Sequence, residues 1–446
     1  MKNKLPFKNK MPTFKICTLG CKVNQSESDT IAKQLQASDW IPADINESSQ
    51  MVVINTCTVT QKAAMQSRQA VRQAIRANPD ARIIVTGCYA QTEPNALEKI
   101  SGIQYIVGNA DKHRIVEFSG AALDQRADKT IIICNEITTS PVFKLAPAAI
   151  AVTRTRPIFK IQDGCNAACT YCIVPRARGP SRSLPPDDVI DGIRALSDAG
   201  YIEIVLSGIH LGHYGQDLKP ETNLSDLLKR IEHASAIPRL RLSSIEPLEM
   251  TDELIEQMAE YSRLCRHFHI PLQSGDNGIL KKMRRPYTAD DFKQLIQKIH
   301  KRIPDAAIGA DILVGFPGEN DAAFNTTFEC IRSLPVTYLH VFPFSARPGT
   351  PAASYTDALS AQVIKERCEK MRRLGNSKRL KFLQGFIGQQ LEILVESTRH
   401  AATGYLKGLS SNYVTVLIDD NRSLANQLLS VKIADRVDDA LLGIIE

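Results

Sequence analysis

Short apolar, β-branched runs alternate with helix-like stretches along most of this chain, and this alternation constrains its fold more than any other feature. Near the start the runs are FKICTLGCKVN, MVVINTCTVT and RIIVTGCYAQ, separated by stretches such as SESDTIAKQLQASD and KAAMQSRQAVRQAIRANPD. Strands that alternate with helices form βαβ units and pair in parallel. We therefore predict an α/β chain whose N-terminal domain, residues 13–140, is a parallel, Rossmann-like sheet.

A cysteine follows each of these three runs at the same place. These are Cys21, Cys57 and Cys88, each preceded by glycine or threonine. Because all strands of a parallel sheet end at one edge, the three thiols should converge there. Free cysteines are often simply buried, which is the alternative interpretation. The shared register favours a metal cluster instead, whereas Cys17 is expected on a sheet face.

The middle of the chain repeats the alternation six times. The strand-like runs are PIFKIQDG, YIEIVLSGIH, RLRLSSIEP, HFHIPLQSG, AIGADILVGFPGE and YLHVFPFSARPG. Helices fit between them, and one of these carries Thr288 and Asp291 as a capping-box pair. We predict a partial (β/α)6 barrel over residues 156–376, with its site at the carboxyl ends of the strands. A linker, residues 141–155, precedes it.

The last part of the chain changes character. From residue 379 to 446 it shows short alternating strands with glycine and asparagine turns, as in GQQLEILVESTRHAATGYLKGLSSNYVTVLIDD. This pattern predicts a small antiparallel β-barrel and a third domain.

The stretch DGCNAACTYCIVPRARG places Cys165, Cys169 and Cys172 in one loop. A structural zinc ion is bound by four protein ligands, with no open position. The nearest further cysteine, Cys134, lies in an apolar run that is typical of a packing residue. A [4Fe–4S] cluster also takes four thiolates. Three would leave one iron free to chelate a small molecule that carries an amine beside a carboxylate, as S-adenosylmethionine does.

This spacing, with Tyr171 before the last cysteine, resembles the radical S-adenosylmethionine signature, although Ala167, Ala168 and Arg176 depart from residues common in it. The motifs LSGIHLG, SSIEP, PLQSG and DILVGFPGE follow in the order in which that superfamily holds its cofactor. The resemblance implies that S-adenosylmethionine is bound by Tyr171, Ser207, Gly208, Ser244, Glu246, Gln273, Ser274 and Gly315.

Beyond residue 12 the whole chain resembles the methylthiotransferases. The resemblance implies two [4Fe–4S] clusters: the one on Cys165, Cys169 and Cys172 cleaves S-adenosylmethionine to a radical, and the one on the three N-terminal cysteines carries the sulfur. A non-acidic C–H bond gives a side-chain base nothing to act on, so no catalytic acid or base is expected. For His210, His213, His269 and His340 we expect supporting or binding roles.

The last domain resembles the TRAM module, which binds RNA. The helix before it, KERCEKMRRLGNSKRLKF, is basic enough to hold phosphates, and Tyr405 and Tyr413 could stack on bases or pack in the core. The motifs TLGCKVNQSES, NTCTVT, TGCYAQ and MRRPY are most similar to tRNA enzymes that act on N6-threonylcarbamoyladenosine at position 37. Relatives acting on isopentenyladenosine or on a ribosomal-protein aspartate are the alternatives. An iron–sulfur RNA-binding regulator without turnover is the alternative from another class.

Composition agrees with a cytoplasmic enzyme. The net charge of +7 permits a polyanionic partner, and eleven cysteines at uneven spacing make a poor disulfide framework. Cys265, Cys330 and Cys368 are expected to be packing residues. We further expect a monomer that receives electrons from a flavodoxin or ferredoxin, with a basic extension before Met11, which is an alternative start.

Overall fold

The computed structural model describes residues 11–44, 47–120, 129–137, 154–234 and 239–445. The chain divides into two compact units, Met1–Ala151 with Ile173–Pro180, and Val152–Cys172 with Ser181–Glu446. Most of the predicted linker lies outside the described residues. Within the described ranges, no helix combines the length and apolarity of a membrane span.

The first unit is built on a six-stranded, wholly parallel sheet in the order β2-β1-β3-β4-β5-β6. Its strands are β1 (Thr13–Thr18), β2 (Ile41–Pro42), β3 (Met51–Thr56), β4 (Arg82–Gly87), β5 (Tyr105–Val107) and β6 (Ile131–Ile133). Its helices are α1 (Lys22–Gln36), α2 (Gln61–Ala77), α3 (Cys88–Thr92), α4 (Pro94–Glu98), α5 (Glu117–Gly120) and α6 (Val174–Arg178).

Both faces of this sheet are covered, which explains why β3 and β4 read as continuous apolar runs. Val52 and Ile54 pack in the core cluster that contains Val71 of α2, whereas Met51 and Val53 pack in the cluster that contains Leu35 of α1. Every residue of β3 and β4 is buried. The predicted parallel sheet is confirmed, and α1 begins at Lys22, earlier than the predicted helical stretch, with Cys21 in extended backbone at the N-cap position and no capping hydrogen bond from its side chain.

The second unit contains the six predicted strands as two parallel three-stranded sheets, β11-β10-β7 and β12-β13-β14. A bridge between Leu240 and Leu264 connects them into a partial barrel. The strands are β7 (Ile158–Lys160), β8 (Gln162–Asp163), β9 (Arg182–Ser183), β10 (Glu203–Ser207), β11 (Arg239–Leu242), β12 (His267–His269), β13 (Ala307–Val314) and β14 (Tyr338–Pro343). The helices are α7 (Pro186–Asp198), α8 (Leu224–Ala234), α9 (Asp252–Glu260), α10 (Asn277–Lys282), α11 (Ala289–Arg302), α12 (Asp321–Ser333) and α13 (Ala361–Gln384). The predicted capping box is present at the start of α11.

A closed antiparallel-rich barrel, β15-β16-β17-β19-β18, ends the chain. Its strands are β15 (Gln390–Val395), β16 (Leu406–Ser410), β17 (Thr415–Ile418), β18 (Leu428–Val437) and β19 (Ala440–Ile445). The predicted domain boundary near residue 379 falls inside α13, which continues to Gln384 and contributes Leu383 to the barrel core.

A buried ion pair connects the terminal barrel to the parallel strands of the same unit. Glu203 accepts hydrogen bonds from Arg241, whose other N–H groups reach the backbone oxygens of Ser410 and Ser411. The ring of Tyr413 stacks on His267 with centroids 4.2 Å apart. Of the two alternatives for Tyr413, packing is therefore the one observed.

Candidate metal centres

Three cysteines of the first unit lie at the carboxyl edge of its sheet. Cys21 precedes α1, Cys57 follows β3, and Cys88 begins α3 directly after β4. Cys57 and Cys88 are buried and Cys21 is exposed. The sheet topology brings the three together as predicted, whereas Cys17 lies exposed on β1.

Two glycines with left-handed backbone allow this approach. At Gly20, φ is +99°, and a Cβ there would lie 2.8 Å from the Cβ of Cys57. At Gly87, φ is +97°, and a Cβ would lie 2.4 Å from the backbone oxygen of Thr56. Any other residue at either position would strain the backbone and push the loops apart.

The electrostatics of this edge suit a cationic ligand. Burial is the largest cause that raises the pKa of Cys57 to about 11, and Cys88 and Cys21 add to the rise, while the Val59 N–H and Arg178 oppose it. Thiolates so placed need positive charge beside them. A set of three sulfur ligands of this kind fits an iron–sulfur cluster.

A buried ionic network lies beside these thiols. Glu27 accepts hydrogen bonds from Lys112 at 2.5 Å and from Arg178 at 2.8 Å, and Arg178 also donates to Asn24. Arg178 of this network lowers the pKa of Cys57, so its positive charge acts on that thiol. None of its members was identified from the sequence.

In the second unit, Cys165, Cys169 and Cys172 lie in the loop that follows β8. Buried Gln162 braces this loop: its amide donates to the Gly164 oxygen at 2.9 Å, and its Oε1 accepts the His210 backbone N–H at 2.8 Å. Thr170 donates from its hydroxyl to the Lys282 oxygen at 3.0 Å. The cysteine loop is thus fixed at both ends.

Polar hydrogens face two of the three sulfurs. Arg285 donates to the sulfur of Cys169 at 3.1 Å, and the Ala167 N–H donates to that of Cys165 at 3.4 Å. His210 places Nδ1 3.2 Å from the Cys165 sulfur and Nε2 2.5 Å from Glu249. Burial alone would lower the pKa of His210, but these two contacts raise it to about 10.

The residues predicted to bind a cofactor follow the strand ends of the barrel. Ser207 is the last residue of β10, and a Cβ on Gly208 would lie 2.7 Å from Oε1 of Gln162. Ser244 contacts Nδ1 of His269, and Glu246 forms an ion pair with Arg285. These side chains are therefore already oriented by neighbours.

The other predicted positions differ in their surroundings. Gln273 has φ +67°, and no hydrogen bond to its side chain is found among the described residues. Ser274 is buried and its hydroxyl contacts Thr327 at 3.2 Å. Gly315 has φ +81°, and its N–H donates to Glu319 at 3.1 Å. Tyr171 packs edge-on against Phe316, with ring centroids 6.4 Å apart.

Comparison with known proteins assigns both units. Residues 159–331 match the Radical SAM superfamily and residues 13–108 match the uncharacterized protein family UPF0004. The threonylcarbamoyladenosine tRNA methylthiotransferase MtaB of Bacillus subtilis is 38% identical over 95% of this chain and 94% of its own length. The Chlamydia pneumoniae protein of that name is 36% identical over 97% of each chain. The tRNA-2-methylthio-N(6)-dimethylallyladenosine synthase of Pelotomaculum thermopropionicum is 32% identical over 98% of each.

The chain belongs to the radical S-adenosylmethionine methylthiotransferases. Among solved structures, the radical S-adenosylmethionine methyltransferase TsrM of Kitasatospora setae shares its fold, with a TM-score of 0.57, 16% identity and 77% coverage of both chains. The family confirms the predicted α/β fold, the transferase class, the iron–sulfur and S-adenosylmethionine chemistry, and tRNA as the partner.

The cysteine loop of this methylthiotransferase fits the [4Fe–4S] cluster of its family. Cys165, Cys169 and Cys172 would supply three thiolates to it, and the N–H groups of Arg285 and Ala167 face two of the sulfurs. A cluster held there would supply the electron for cleavage of S-adenosylmethionine to a radical. The protein's own part is to hold the three sulfurs and to place cationic groups beside them.

The sequence did not identify three charged residues of the second unit that contact predicted site residues. They are Arg285, Glu249 and Asp311, which contact Cys169, His210 and His269. Arg285 had a visible signal, since it belongs to the motif MRRPY. Asp311 is an acidic residue inside an otherwise apolar strand, AIGADILV, which is the signature of a buried polar group. Glu249 gave no signal in the sequence pattern.

Proposed function

We propose that this methylthiotransferase inserts a methylthio group at C2 of N6-threonylcarbamoyladenosine at position 37 of tRNA. The observation that carries the proposal is the name shared by the relatives of 33–38% identity, all threonylcarbamoyladenosine tRNA methylthiotransferases. Dimethylallyladenosine synthases match at 31–32%. The isopentenyl-type substrate is therefore the second candidate.

The proposal includes a second [4Fe–4S] cluster on Cys21, Cys57 and Cys88. Three features of the first unit support it: the thiols converge at one sheet edge, two of them are buried, and Arg178 and Lys112 place positive charge nearby. One S-adenosylmethionine would supply a methyl group to sulfur at this cluster, and another the radical at the barrel cluster.

The attacked C–H bond is not acidic, so the proposal needs no general base. The barrel acts by holding the cofactor, through Tyr171, Ser207, Gly208, Ser244, Glu246, Gln273, Ser274 and Gly315. Electrons would come from a flavodoxin or ferredoxin, and the enzyme would act as a monomer in the cytoplasm, where its tRNA substrate is found.

For tRNA we propose contacts from the terminal barrel, interpreted as a TRAM domain, and from α13. Arg373 and Lys381 of this helix are exposed, and no ion pair engages them within the described residues. Exposed cations of this kind bind phosphates independently of sequence. Arg367, Lys378 and Arg379 are engaged with protein oxygens and are not included.

The test is mass spectrometry of nucleosides in tRNA from cells that lack this chain. Loss of 2-methylthio-N6-threonylcarbamoyladenosine, with its unmethylthiolated precursor accumulating, is the expected result. Re-expression of the wild type should restore it, and re-expression of Cys169→Ala should not. Loss of the isopentenyl-type product alone would identify the second candidate. An intact set of products, with no cleavage of S-adenosylmethionine by the reduced protein, would indicate a non-catalytic RNA-binding regulator.

A further inference from the structure

A compact cluster of two histidines and one aspartate lies on three adjacent strands of the second unit, β12, β13 and β14, and contains no cysteine. His269 ends β12, Asp311 lies in β13, and His340 lies in β14 directly opposite Asp311 in the parallel register. His269 pairs with Gly309, two residues before Asp311, so the pleat places all three side chains on one face. On β14 the next residue back, Leu339, packs against α13 at Gly375, so His340 points away from that helix.

The three polar atoms form a nearly equilateral triangle. Nε2 of His269 is 3.0 Å from Oδ1 of Asp311, Nδ1 of His340 is 3.3 Å from the same oxygen, and the two nitrogens are 3.2 Å apart. Ligands bound tetrahedrally at 2.0–2.1 Å from a zinc ion are separated by about 3.3 Å. The spacing is therefore that of three ligands around one small cation.

Hydrogen bonding alone leaves this triangle incomplete. The two imidazole nitrogens form one hydrogen bond with each other, and at a corner of about 60° an N–H aimed at one neighbour misses the other. Oδ1 of Asp311 is buried and accepts no hydrogen bond of ordinary geometry from the part of the chain that the structure describes. A buried carboxylate oxygen that no donor approaches with good hydrogen-bond geometry is costly, whereas a cation inside the triangle would satisfy all three atoms.

The surroundings support a ligand role for His269. Its other ring nitrogen, Nδ1, contacts the hydroxyl of Ser244. In the tautomer in which Nδ1 donates to that hydroxyl, Nε2 presents its lone pair to the triangle, as in metal-bound histidines whose second nitrogen is held by a neighbour. On the other side, the side chain of His340 is 51% exposed, which leaves room for a fourth ligand from solvent.

From this geometry we propose that His269, Asp311 and His340 bind one divalent cation of the zinc class, with a fourth position open to water or to an oxygen ligand. Imidazole and carboxylate are the ligand types that zinc accepts, and three protein ligands with one open position distinguish such a site from a closed structural one. The site requires neither cysteine triplet and does not depend on the proposed tRNA substrate.

The test measures zinc binding to the full chain with its clusters reconstituted, after treatment with a chelator and desalting. Zn²⁺ is titrated in competition with a chromophoric indicator, and zinc and iron are counted by elemental analysis. We expect one tight site in the wild type, weakened more than about 100-fold in Asp311→Asn and His340→Ala. Ser244→Ala should weaken binding about 10–100-fold, the range for residues that orient a metal-bound histidine.

His300→Ala is the matched control, because His300 is an exposed histidine at the end of α11. It should bind zinc as the wild type does. His340→Ala alters an exposed side chain, so it remains informative if Asp311→Asn does not fold. X-ray absorption at the zinc edge should show only nitrogen and oxygen neighbours. A sulfur shell, wild-type affinity in both ligand variants, or no tight site in the wild type would each overturn the proposal.

Discussion

Arg285 donates one N–H of its guanidinium to the sulfur of Cys169 over 3.1 Å, and its other terminal nitrogen pairs with Glu246. The side chain of Arg285 is only 5% exposed, so this positive charge is held close to the cysteine loop in a poorly hydrated place. Glu246 fixes the direction in which the guanidinium points. Arg285 is therefore a positioning residue of the barrel cluster that acts on the electrostatics of its ligand.

Replacing Arg285 should make the barrel cluster harder to reduce. Loss of a nearby cation and of an N–H donor to sulfur destabilises the more negative, reduced cluster. In Arg285→Ala we expect a midpoint potential lower by about 60 mV or more, which is tenfold in a one-electron equilibrium. Arg285→Lys, which keeps the charge, should shift the potential less.

The measurement is a redox titration followed by electron paramagnetic resonance, in a background with Cys21, Cys57 and Cys88 replaced by alanine. Lys281→Ala removes an exposed charge from the neighbouring α10 and should leave the potential unchanged. An Arg285→Ala potential equal to the wild type would show that this contact does not tune the cluster.

The two cysteine triplets should separate cofactor cleavage from methylthio transfer. Cys169→Ala should abolish formation of 5′-deoxyadenosine while the first unit keeps its cluster, so about half of the iron remains. Cys57→Ala should retain cleavage and lose transfer. Quantifying 5′-deoxyadenosine, iron and methylthiolated nucleoside in one assay tests both statements.

Cys17→Ala is the control for these variants, since Cys17 is exposed on β1 outside the triplet. It should match the wild type in all three quantities. Full transfer activity in Cys57→Ala would refute the second cluster.

Breaking the buried network around Glu27 should destabilise the first unit. Arg178 is 1% exposed and contacts Glu27 and Asn24, and its removal takes one cationic partner from the buried carboxylate of Glu27 while Lys112 remains. Removing one partner of a buried ion pair lowers the free energy of unfolding by roughly 3–5 kcal/mol. Because Lys112 remains beside Glu27, we expect Arg178→Ala to lower it by about 3 kcal/mol.

Denaturation followed by tryptophan fluorescence reports on this unit alone, because the only tryptophan, Trp40, is buried in it. Arg176→Ala, an exposed arginine of the same helix, should change the free energy of unfolding by less than about 0.5 kcal/mol. Equal midpoints for the two variants at equal cluster loading would contradict the assigned role.

The sequence predicted those parts of the fold that local patterns determine. Continuous apolar runs such as β3 and β4 indicate a sheet covered on both faces, and the parallel topology then places Cys21, Cys57 and Cys88 at one edge. The capping pair Thr288 and Asp291 marked the start of α11 for the same reason, since both partners lie within one turn.

Contacts between distant residues could not be read in this way. Arg178 meets Glu27 across 151 positions, and Arg285 meets Cys169 across 116. A single arginine is not part of a repeating sequence pattern, so its partner cannot be predicted from such a pattern. Whether the arginine is buried depends on how whole helices and strands pack. The predicted basic helix KERCEKMRRLGNSKRLKF runs through Gly375, which lies inside α13 and packs closely against Leu339.

The exposed cations of α13 give the last prediction, which concerns tRNA affinity. On a helix with 3.6 residues per turn, Lys370, Arg373 and Lys381 lie within about 80° of one another. Arg373→Ala with Lys381→Ala should weaken tRNA binding and lower the slope of log affinity against log salt by about one to two, since each lost phosphate contact removes roughly 0.7–0.9. Binding measured at several salt concentrations gives that slope.

Lys301→Ala, an exposed lysine of α11, is the control, and cleavage of S-adenosylmethionine without tRNA should remain at the wild-type rate in all variants. An unchanged slope in the double variant, with reduced affinity, would mean that α13 contributes to folding of the terminal barrel and not to phosphate contacts.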